Sequence, residues 1–452
     1  MITFIVLVFV IGYTAITLED KLKLDKLIPA LLMMVVAWAA IFLDVSAFTE
    51  WFNSGEKALI DITGLGEAAR MDLVHESLAH HFEETAEILI FLLGAMTIVE
   101  IIEHFDGFST IKKFVKTHSK RSLLWIIAFL AFVLSSIIDN LTSTIVLISI
   151  LRKLLDKNED RIWYAGLIVI AANAGGAWSP IGDVTTTMLW IGNKVTAPKL
   201  MEYLFIPSLI CFIIPTAIAS FMKPFKGTFD LPQEEKVDPN ASTMMYLGLI
   251  MIVMVPVLKT VIGLPPFMGM MFSLAIVAIV AELKAHKQLK ALSMSGDAND
   301  EDHHAGKGPL VGALSRIEMP SILFFLGILL TVGALESIGV IFNFGQTVSA
   351  SMGESPFIIV LGLASAVIDN VPLVAASMGM FTEGIDELVW HFIAYSAGTG
   401  GSILIIGSAA GVVAMGMEKI NFFWYVKNIS LLAMLGFFGG AGWYLMERAI
   451  FG

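Results

Sequence analysis

Long apolar runs separated by short polar segments dominate the chain. A transmembrane helix needs about 20 predominantly apolar residues, fewer where polar flanks reach the interface. On this rule the first half contains crossings at about residues 1–18, 27–43, 86–103, 162–191 and 203–222. The second half contains crossings at about residues 243–260, 264–281, 319–341, 391–416 and 428–447. Residues 1–18 lack a basic n-region and a small-residue cleavage site, so we expect a first crossing there rather than a signal peptide.

Two further apolar segments do not fit a simple crossing. Residues 122–151 would form a helix of about 45 Å, which is too long for one upright span and too short for two spans with a turn. Basic residues flank both ends, so both ends are predicted on the cytoplasmic side, with Asp139 and Asn140 at the tip of a re-entrant hairpin. The counterpart at 356–381 has acidic flanks and is predicted to enter from the outside.

Positive charge sets the predicted orientation. Cytoplasmic segments of membrane proteins are enriched in Lys and Arg. With both termini outside, most of the 28 basic residues fall on the inner side, among them the flanking residues Lys21, Lys23 and Lys26. The outer side then holds only Lys57, Arg70, Lys194, Lys199, Lys259 and Arg448.

The chain divides into two comparable halves. Residues 1–222 and 243–452 each contain three crossings, a hairpin and two more crossings, joined by a proline-rich cytoplasmic linker at 223–242. Long polar loops are predicted at 44–85 and 282–318. Because five is an odd number of crossings, the second half must be inverted relative to the first, as in many secondary transporters. The predicted fold class is an all-α polytopic membrane protein with two inverted structural repeats, each carrying a re-entrant hairpin and an interrupted transmembrane helix.

Composition agrees with a membrane protein. Of the 452 residues, 57% are hydrophobic and 15% are charged, and the mean hydropathy is +0.81. The net charge of -12 gives no support to nucleic acid as a partner. Cys211 is the single cysteine, so no intrachain disulfide can form.

Each half contains a second irregular segment after its hairpin, at residues 173–187 and 396–411. When the halves are aligned by a shift of 225 residues, the glycines at 175, 176 and 182 fall on those at 400, 401 and 407. Glycine pairs and a proline at membrane depth interrupt a helix, and the exposed backbone is tolerated where it lines a polar cavity. Close helix packing is the alternative explanation. It accounts for the glycines but not for Asn173, Asp183 and three successive threonines.

The polar groups inside the apolar segments suggest cation chemistry. The acids there are Glu87, Glu100, Asp139, Asp183, Glu336 and Asp369, and no Lys or Arg lies near a segment centre. An all-oxygen cavity without a fixed positive charge suits a hard monovalent cation or a proton. Removal from water disfavours the charged form of a carboxyl group, so a buried carboxylate can hold either species near neutral pH. If reorientation requires one of them, the result is antiport.

These motifs resemble those of the NhaD-type sodium/proton antiporters of the ion transporter superfamily. The resemblance rests on the Asp-Asn pairs, on Asn-Ala-Gly-Gly-Ala-Trp-Ser-Pro-Ile-Gly-Asp-Val-Thr-Thr from residue 173, and on the glycine-rich run from residue 397. It implies exchange of Na+, and often Li+, for H+ in the bacterial inner membrane by a homodimer with alternating access. No cofactor and no enzymatic activity are expected. The ion-binding residues that it implies are Asp139, Asn140, Asn173, Asp183, Thr185, Thr186, Ser365, Asp369, Asn370, Thr399, Ser402 and Ser408.

The halves depart from each other where Asp183 corresponds to Ser408 and Thr142 to Pro372. Two symmetric ion sites are therefore not expected. Glu100 and Glu336, late in the third crossing of each half, are candidates for a proton relay or for interfacial acids.

Two rival functions remain open from the sequence. An anion transporter of the same superfamily, carrying a dicarboxylate or arsenite, is disfavoured by the two hairpin aspartates. An intramembrane aspartyl protease would use Asp183 and a second aspartate, but it leaves the duplicated Asp-Asn pairs unexplained.

Overall fold

The computed structural model describes residues 1–53, 58–229, 240–295 and 308–451, which are mostly helical. The helices of the first half are α1 (Ile2–Thr17), α2 (Glu19–Leu22), α3 (Leu27–Leu43), α4 (Glu67–His104), α5 (Lys120–Ile138), α6 (Asn140–Leu154), α7 (Asn158–Ala177), α8 (Val184–Ile191) and α9 (Ala197–Ala219). Those of the second half are α10 (Ala241–Ile262), α11 (Pro266–Ser295), α12 (Pro309–Leu314), α13 (Met319–Ser337), α14 (Val340–Met352), α15 (Glu354–Ala364), α16 (Asn370–Met380), α17 (Leu388–Gly400), α18 (Ala409–Glu418), α19 (Phe422–Asn428) and α20 (Ser430–Phe451). Short 3₁₀ segments lie at Val45–Ala47, Gly107–Phe114 and Lys223–Phe225, and an antiparallel hairpin pairs β1 (Glu50–Asn53) with β2 (Ala58–Asp61).

Helices cover all ten predicted crossings. The crossings at 162–191 and 391–416 are interrupted as predicted, between α7 and α8 and between α17 and α18. Six of the described helices are long and apolar enough to span a membrane, or up to eight if each bent pair forms one span. The prediction of a helical polytopic membrane protein is confirmed. The linker lies partly outside the described residues. The predicted loop at 282–318 is wrong for residues 282–295, which continue α11, and for residues 309–314, which form α12, while residues 296–307 lie outside the described part of the chain.

The predicted outer loop at 44–85 is wrong for residues 67–85, which form the first turns of the 38-residue helix α4. Val74 and His81 explain this, since they lie seven residues apart on one buried helix face. The His81 ring packs where α13 has Gly333, and a Cβ at that position would lie 2.7 Å from the ring. Burial of this face stabilises the first turns of α4, whose sequence has little apolar character of its own.

The helices form two bundles. α1, α3, α4, α10, α11 and α13 pack against one another, and we call them the frame bundle. α5 to α9 and α15 to α20 form the core bundle, which contains both helix hairpins and both interrupted helices. The bundles meet where α4 packs on α8, α10 on α5, and α13 on α16. This interface therefore runs beside the hairpin tips.

Both halves attach their hairpin to their interrupted helix by the same hydrogen bond. The Ser135 hydroxyl of α5 donates to the Ala172 carbonyl of α7 at 2.6 Å. The Ser365 hydroxyl, at the end of α15, donates to the Ala397 carbonyl of α17 at 2.8 Å. The duplicated sequence pattern thus corresponds to duplicated local structure, while the direction of each half in the membrane stays a prediction.

Glycines in the breaks allow the hairpins to come this close. A Cβ at Gly182 would lie 2.7 Å from the Ser135 carbonyl, and one at Gly407 would lie 2.6 Å from the Ser365 carbonyl. Real Cβ atoms do not approach backbone so closely, so these positions need glycine. The correspondence of Gly182 and Gly407 in the sequence has this physical cause.

We expect Glu418→Gln to destabilise the core bundle by about 3 kcal/mol. Glu418 is 1% exposed and accepts from Arg152 at 2.8 Å, from Arg161 at 3.0 Å and from Asn158 at 2.8 Å, so it joins α18 to the ends of α6 and α7. Thermal unfolding of the protein in detergent measures the effect. The control is Glu202→Gln, whose exposed partner Lys199 should make the loss less than about 1 kcal/mol. Equal losses in the two variants would contradict this role for Glu418.

Candidate functional site

The tip of the first hairpin holds Asp139 between α5 and α6. Its backbone has φ 74° and ψ 160°, a conformation that is nearly restricted to glycine and costs roughly 1–3 kcal/mol. The backbone N–H and the hydroxyl of Thr142 donate to the two carboxylate oxygens at 2.8 and 2.9 Å. As the N-cap of α6, the carboxylate also lies at the positive end of the helix dipole. Thr142 therefore fixes the side chain of Asp139. The position of Thr142 in the sequence did not indicate this role.

The tip of the second hairpin holds Asp369 as the N-cap of α16. Position 372 is a proline without an N–H, so the carboxylate accepts from the Val371 N–H at 3.1 Å. Thr142 supplies two donors to Asp139, whereas this carboxylate has one such donor and a charged neighbour. The Lys26 ammonium lies 3.9 Å from its Oδ2 atom.

Both interrupted helices resume at a buried polar N-cap. Asp183 precedes α8 and Ser408 precedes α18, and their side chains are 3% and 2% exposed. The Ser408 hydroxyl accepts from the Gly411 N–H at 3.3 Å. A helix N-terminus favours negative charge, which Asp183 can supply and Ser408 cannot.

Hydrogen bonds join the hairpin tips to these N-caps across the two halves. Asn370 donates from Nδ2 to Oδ2 of Asp183 at 3.0 Å. On the other side, Asn140 donates to Oδ1 of Asn173 at 2.8 Å, and Asn173 donates to the Ser408 hydroxyl at 2.9 Å. Asn140 and Asn370 both donate through their amide nitrogen. Their side-chain carbonyl oxygens at the hairpin tips are therefore available as ligands.

The two sides of the site differ by a compensating exchange of larger and smaller side chains. By the shift of 225, Asn173 corresponds to Gly398 and Asp183 to Ser408. A Cβ at Gly398 would lie 3.7 Å from Oδ2 of Asp183, so the longer side chain of an asparagine there would meet the carboxylate. The shorter Ser408 leaves a gap, and Asn173 bridges it. One side of the site therefore presents a carboxylate and the other a neutral amide and hydroxyl.

A cavity of about 100 Å³ lies between the hairpin tips and the frame bundle, and we call it the aspartate cavity. The side chains of Asp139, Asp183 and Asp369 line it together with Asn140 and Asn370, and apolar residues of α4 and α13 enclose it. Its volume exceeds the roughly 10–15 Å³ that one water molecule requires. Among the described residues, no three His, Cys, Asp or Glu side chains converge closely enough to hold a metal ion by themselves.

Two charged residues of the frame bundle also line the aspartate cavity. Lys26 is the N-cap of α3 and Glu318 is the N-cap of α13. From the sequence, Lys26 counts only as an inner flanking residue, and no motif singles out Glu318. They reach the cavity because α3 packs against α13, a tertiary contact without a local signal.

A second cavity of about 300 Å³ also lies between the frame bundle and the core bundle, and we call it the glutamate vestibule. Glu84 and Glu336 line it, together with Glu83, Glu87 and the two histidines at 80 and 81. α4, α8, α13 and α16 contribute to both cavities, through residues about one helical turn apart. One layer of side chains at the frame–core interface therefore separates the two cavities.

The structure divides the predicted site residues into two groups. Asp139, Asn140, Asp183, Asp369 and Asn370 line the aspartate cavity, whereas the buried residues Asn173, Thr185, Thr186, Ser365, Thr399, Ser402 and Ser408 lie behind it. In this second group, hydroxyl donors to backbone carbonyls are Thr186 to Asp183, Ser365 to Ala397, Thr399 to Tyr395 and Ser402 to Thr399. These bonds hold the breaks in shape. Ion binding by the second group stays a prediction.

The two relay candidates lie in different places. Glu336 lines the glutamate vestibule, and a Cβ at Gly379 of α16 would lie 2.8 Å from its carboxyl carbon. α16 thus packs directly on Glu336. Glu100 is partly exposed, lies near Glu103 and Arg316, and lines neither cavity.

Comparison with known proteins agrees with this architecture. The family model described as a citrate transporter matches residues 5–393. Sodium/proton antiporter 1 of Arabidopsis thaliana is 40% identical over 447 residues, which cover 97% of this chain and 71% of that protein. The Na(+)/H(+) antiporter NhaD of Vibrio cholerae is 31% identical over 435 residues, which cover 93% of this chain and 87% of that protein.

The fold also matches a solved transporter. The YdaH transporter of Alcanivorax borkumensis, described as having an unusual topology, superposes with a TM-score of 0.60 at 10% sequence identity. The match covers 93% of this chain and 98% of that one, so the two proteins share their fold. Sequence relatives above 30% identity over almost the whole chain define the relationship more closely. The chain belongs to the NhaD-type sodium/proton antiporter family.

Proposed function

We propose that the protein exchanges Na+, and also Li+, for H+ across a bacterial inner membrane by alternating access. The observation that carries this proposal is the aspartate cavity. Two hairpin tips and one interrupted helix bring Asp139, Asp183 and Asp369 to one small space inside an apolar bundle. Carboxylates in such a place need a cation or a proton, because an uncompensated buried charge costs several kcal/mol.

The ligand chemistry supports an alkali cation as the substrate. Carboxylate and amide oxygens are ligands for hard cations. Asn370 uses its amide hydrogens on Asp183, so its carbonyl oxygen can join the carboxylate around a bound ion. We assign the cation to this pair, with Asp139 and Asp369 as further ligands or proton carriers. Since the same carboxylates can bind protons, the two substrates compete.

The position of the site supports alternating access. The aspartate cavity lies at the frame–core interface, and one layer of side chains separates it from the glutamate vestibule. A slide of the core bundle by about one helical turn, roughly 5.4 Å, would move the carboxylates from one cavity towards the other. Glu336, which lines the vestibule and packs against α16, is then the candidate proton relay.

The citrate transporter description of the matching family model keeps an anion substrate as the second candidate. A citrate or dicarboxylate carrier needs groups that stabilise negative charge. Lys26, the basic residue that lines the aspartate cavity, is already beside Asp369. The three aspartates and Glu318 therefore disfavour an anion. The protease alternative is disfavoured too, because the partner of Asp183 Oδ2 is an amide.

The family resemblance also supports the inner membrane as the location and a homodimer as the acting form. The placement of both termini on the outer side follows from the charge distribution.

We expect Asp183→Asn to reduce exchange at least about tenfold, because the amide keeps the shape of the side chain but not the charge that binds the cation. The assay is the Na+-dependent collapse of a pH gradient in proteoliposomes that contain no organic anion. Glu354→Gln, at the exposed acid that begins α15, is the matched control and should behave like the wild type. An Asp183→Asn variant with the wild-type rate and apparent Na+ affinity would remove this residue from the site.

Competition between the two substrates predicts a specific pH dependence. Where one proton must leave for each cation that binds, the apparent KM for Na+ should rise by up to tenfold for each unit by which the pH falls. Initial rates measured over a grid of Na+ concentrations and pH values test this. A KM that is independent of pH, with only the maximal rate changing, would show that protons and Na+ use separate groups.

A further inference from the structure

Lys26 is a basic residue at the edge of a cavity whose other charged groups are acidic. Its ammonium lies 3.9 Å from Asp369, and the two side chains are 32% and 21% exposed. Asp369 belongs to the core bundle, whereas Lys26 belongs to the frame bundle. This ion pair therefore crosses the interface between the bundles.

The frame bundle holds Lys26 from two sides. Its backbone N–H donates to the Glu19 carboxylate at 3.4 Å, which fixes the turn before α3. Its ammonium lies 4.6 Å from the centre of the Phe324 ring on α13, in cation–π geometry. Phe324 is fully buried, so the ring that the ammonium contacts belongs to the interior of the frame bundle. If the core bundle moved, Lys26 would stay with the frame bundle.

Other groups around Asp369 increase the importance of this pair. Asp183 and Tyr13 are close enough to interact electrostatically with it. Asp139 and Glu318 line the same cavity. The described titratable groups here, apart from Lys26 and the Tyr13 hydroxyl, are acids, so Lys26 supplies the positive charge when the cavity holds neither Na+ nor protons.

We propose that Lys26 is a tethered counter-cation that locks the core bundle to the frame bundle whenever Asp369 is charged and the site is empty. Binding of Na+ or a proton at the carboxylates weakens the attraction and frees the core bundle to move. The inference rests on the proposed antiport, and it adds the coupling rule: the empty, charged site does not cross. Without such a rule an exchanger would leak Na+, because the empty carrier could return alone.

The test is net efflux of radioactive Na+ from proteoliposomes into Na+-free medium, with the membrane potential clamped and the pH on both sides equal. Net efflux requires the return of a site without Na+. In the wild type this return needs protons, so efflux should fall as the pH is raised. In Lys26→Gln the empty site should return freely, and efflux at alkaline pH should rise about fivefold or more. Lys26→Arg keeps the charge and should resemble the wild type.

Two controls make the outcome decisive. Lys21→Gln changes an exposed lysine of α2 and should leave efflux unchanged. Exchange of internal for external Na+ at equal concentrations does not require an empty site, so it should persist in Lys26→Gln and show that the variant is folded.

Two results would overturn the lock. One is a Lys26→Gln variant whose net efflux keeps the wild-type pH dependence, and the other is a variant that loses Na+/Na+ exchange as well, since Lys26 would then be needed for transport itself. The proposed function fails separately, if the wild-type protein shows no Na+-dependent collapse of a pH gradient.

Discussion

The hydrogen bond between Asn370 and Asp183 unites the structure. It places a carboxylate of the first half against an amide of the second half, in a bundle interior where an unpartnered carboxylate costs several kcal/mol. The hairpin tip that carries Asn370 can be there only because the interrupted helix opens beside it. That opening depends in turn on glycine at 182, where a Cβ would touch the neighbouring backbone. The contacts that hold the two halves together are therefore the same contacts that form the site.

The site is built from duplicated parts but is not symmetric. Asn173 and Ser408 together fill the space that Asp183 and Gly398 fill on the other side. Such paired exchanges keep the packing of both halves intact while only one half has a carboxylate at the helix break. Close packing explains why the two differences occur together, since either one alone would leave a gap or a clash.

The asymmetric site lies at the interface between the bundles, where it has different surroundings on its two sides. On one side the aspartate cavity contains Lys26 and Glu318, and on the other side one layer of side chains separates it from the glutamate vestibule. Charged groups of the frame bundle can thus act on carboxylates of the core bundle. Transport and coupling would then depend on the same few contacts, because the polar groups of both bundles meet here.

The sequence alone predicted ten crossings, all of which helices cover, two hairpins with aspartate at their tips, and the register of the glycine pairs, because apolar run length and helix-breaking residues are local properties. Six to eight of the described spans are long and apolar enough to cross a membrane, so the number of crossings stays a prediction. The sequence did not reveal that residues 67–85 extend α4, since these turns depend on the burial of Val74 and His81, and His81 packs where α13 has Gly333. Nor did it show which polar residues line the cavity and which only bind backbone carbonyls. Tertiary structure alone placed Lys26 beside Asp369 and Thr142 on Asp139, because long-range packing and backbone geometry bring side chains together without leaving a pattern in the chain.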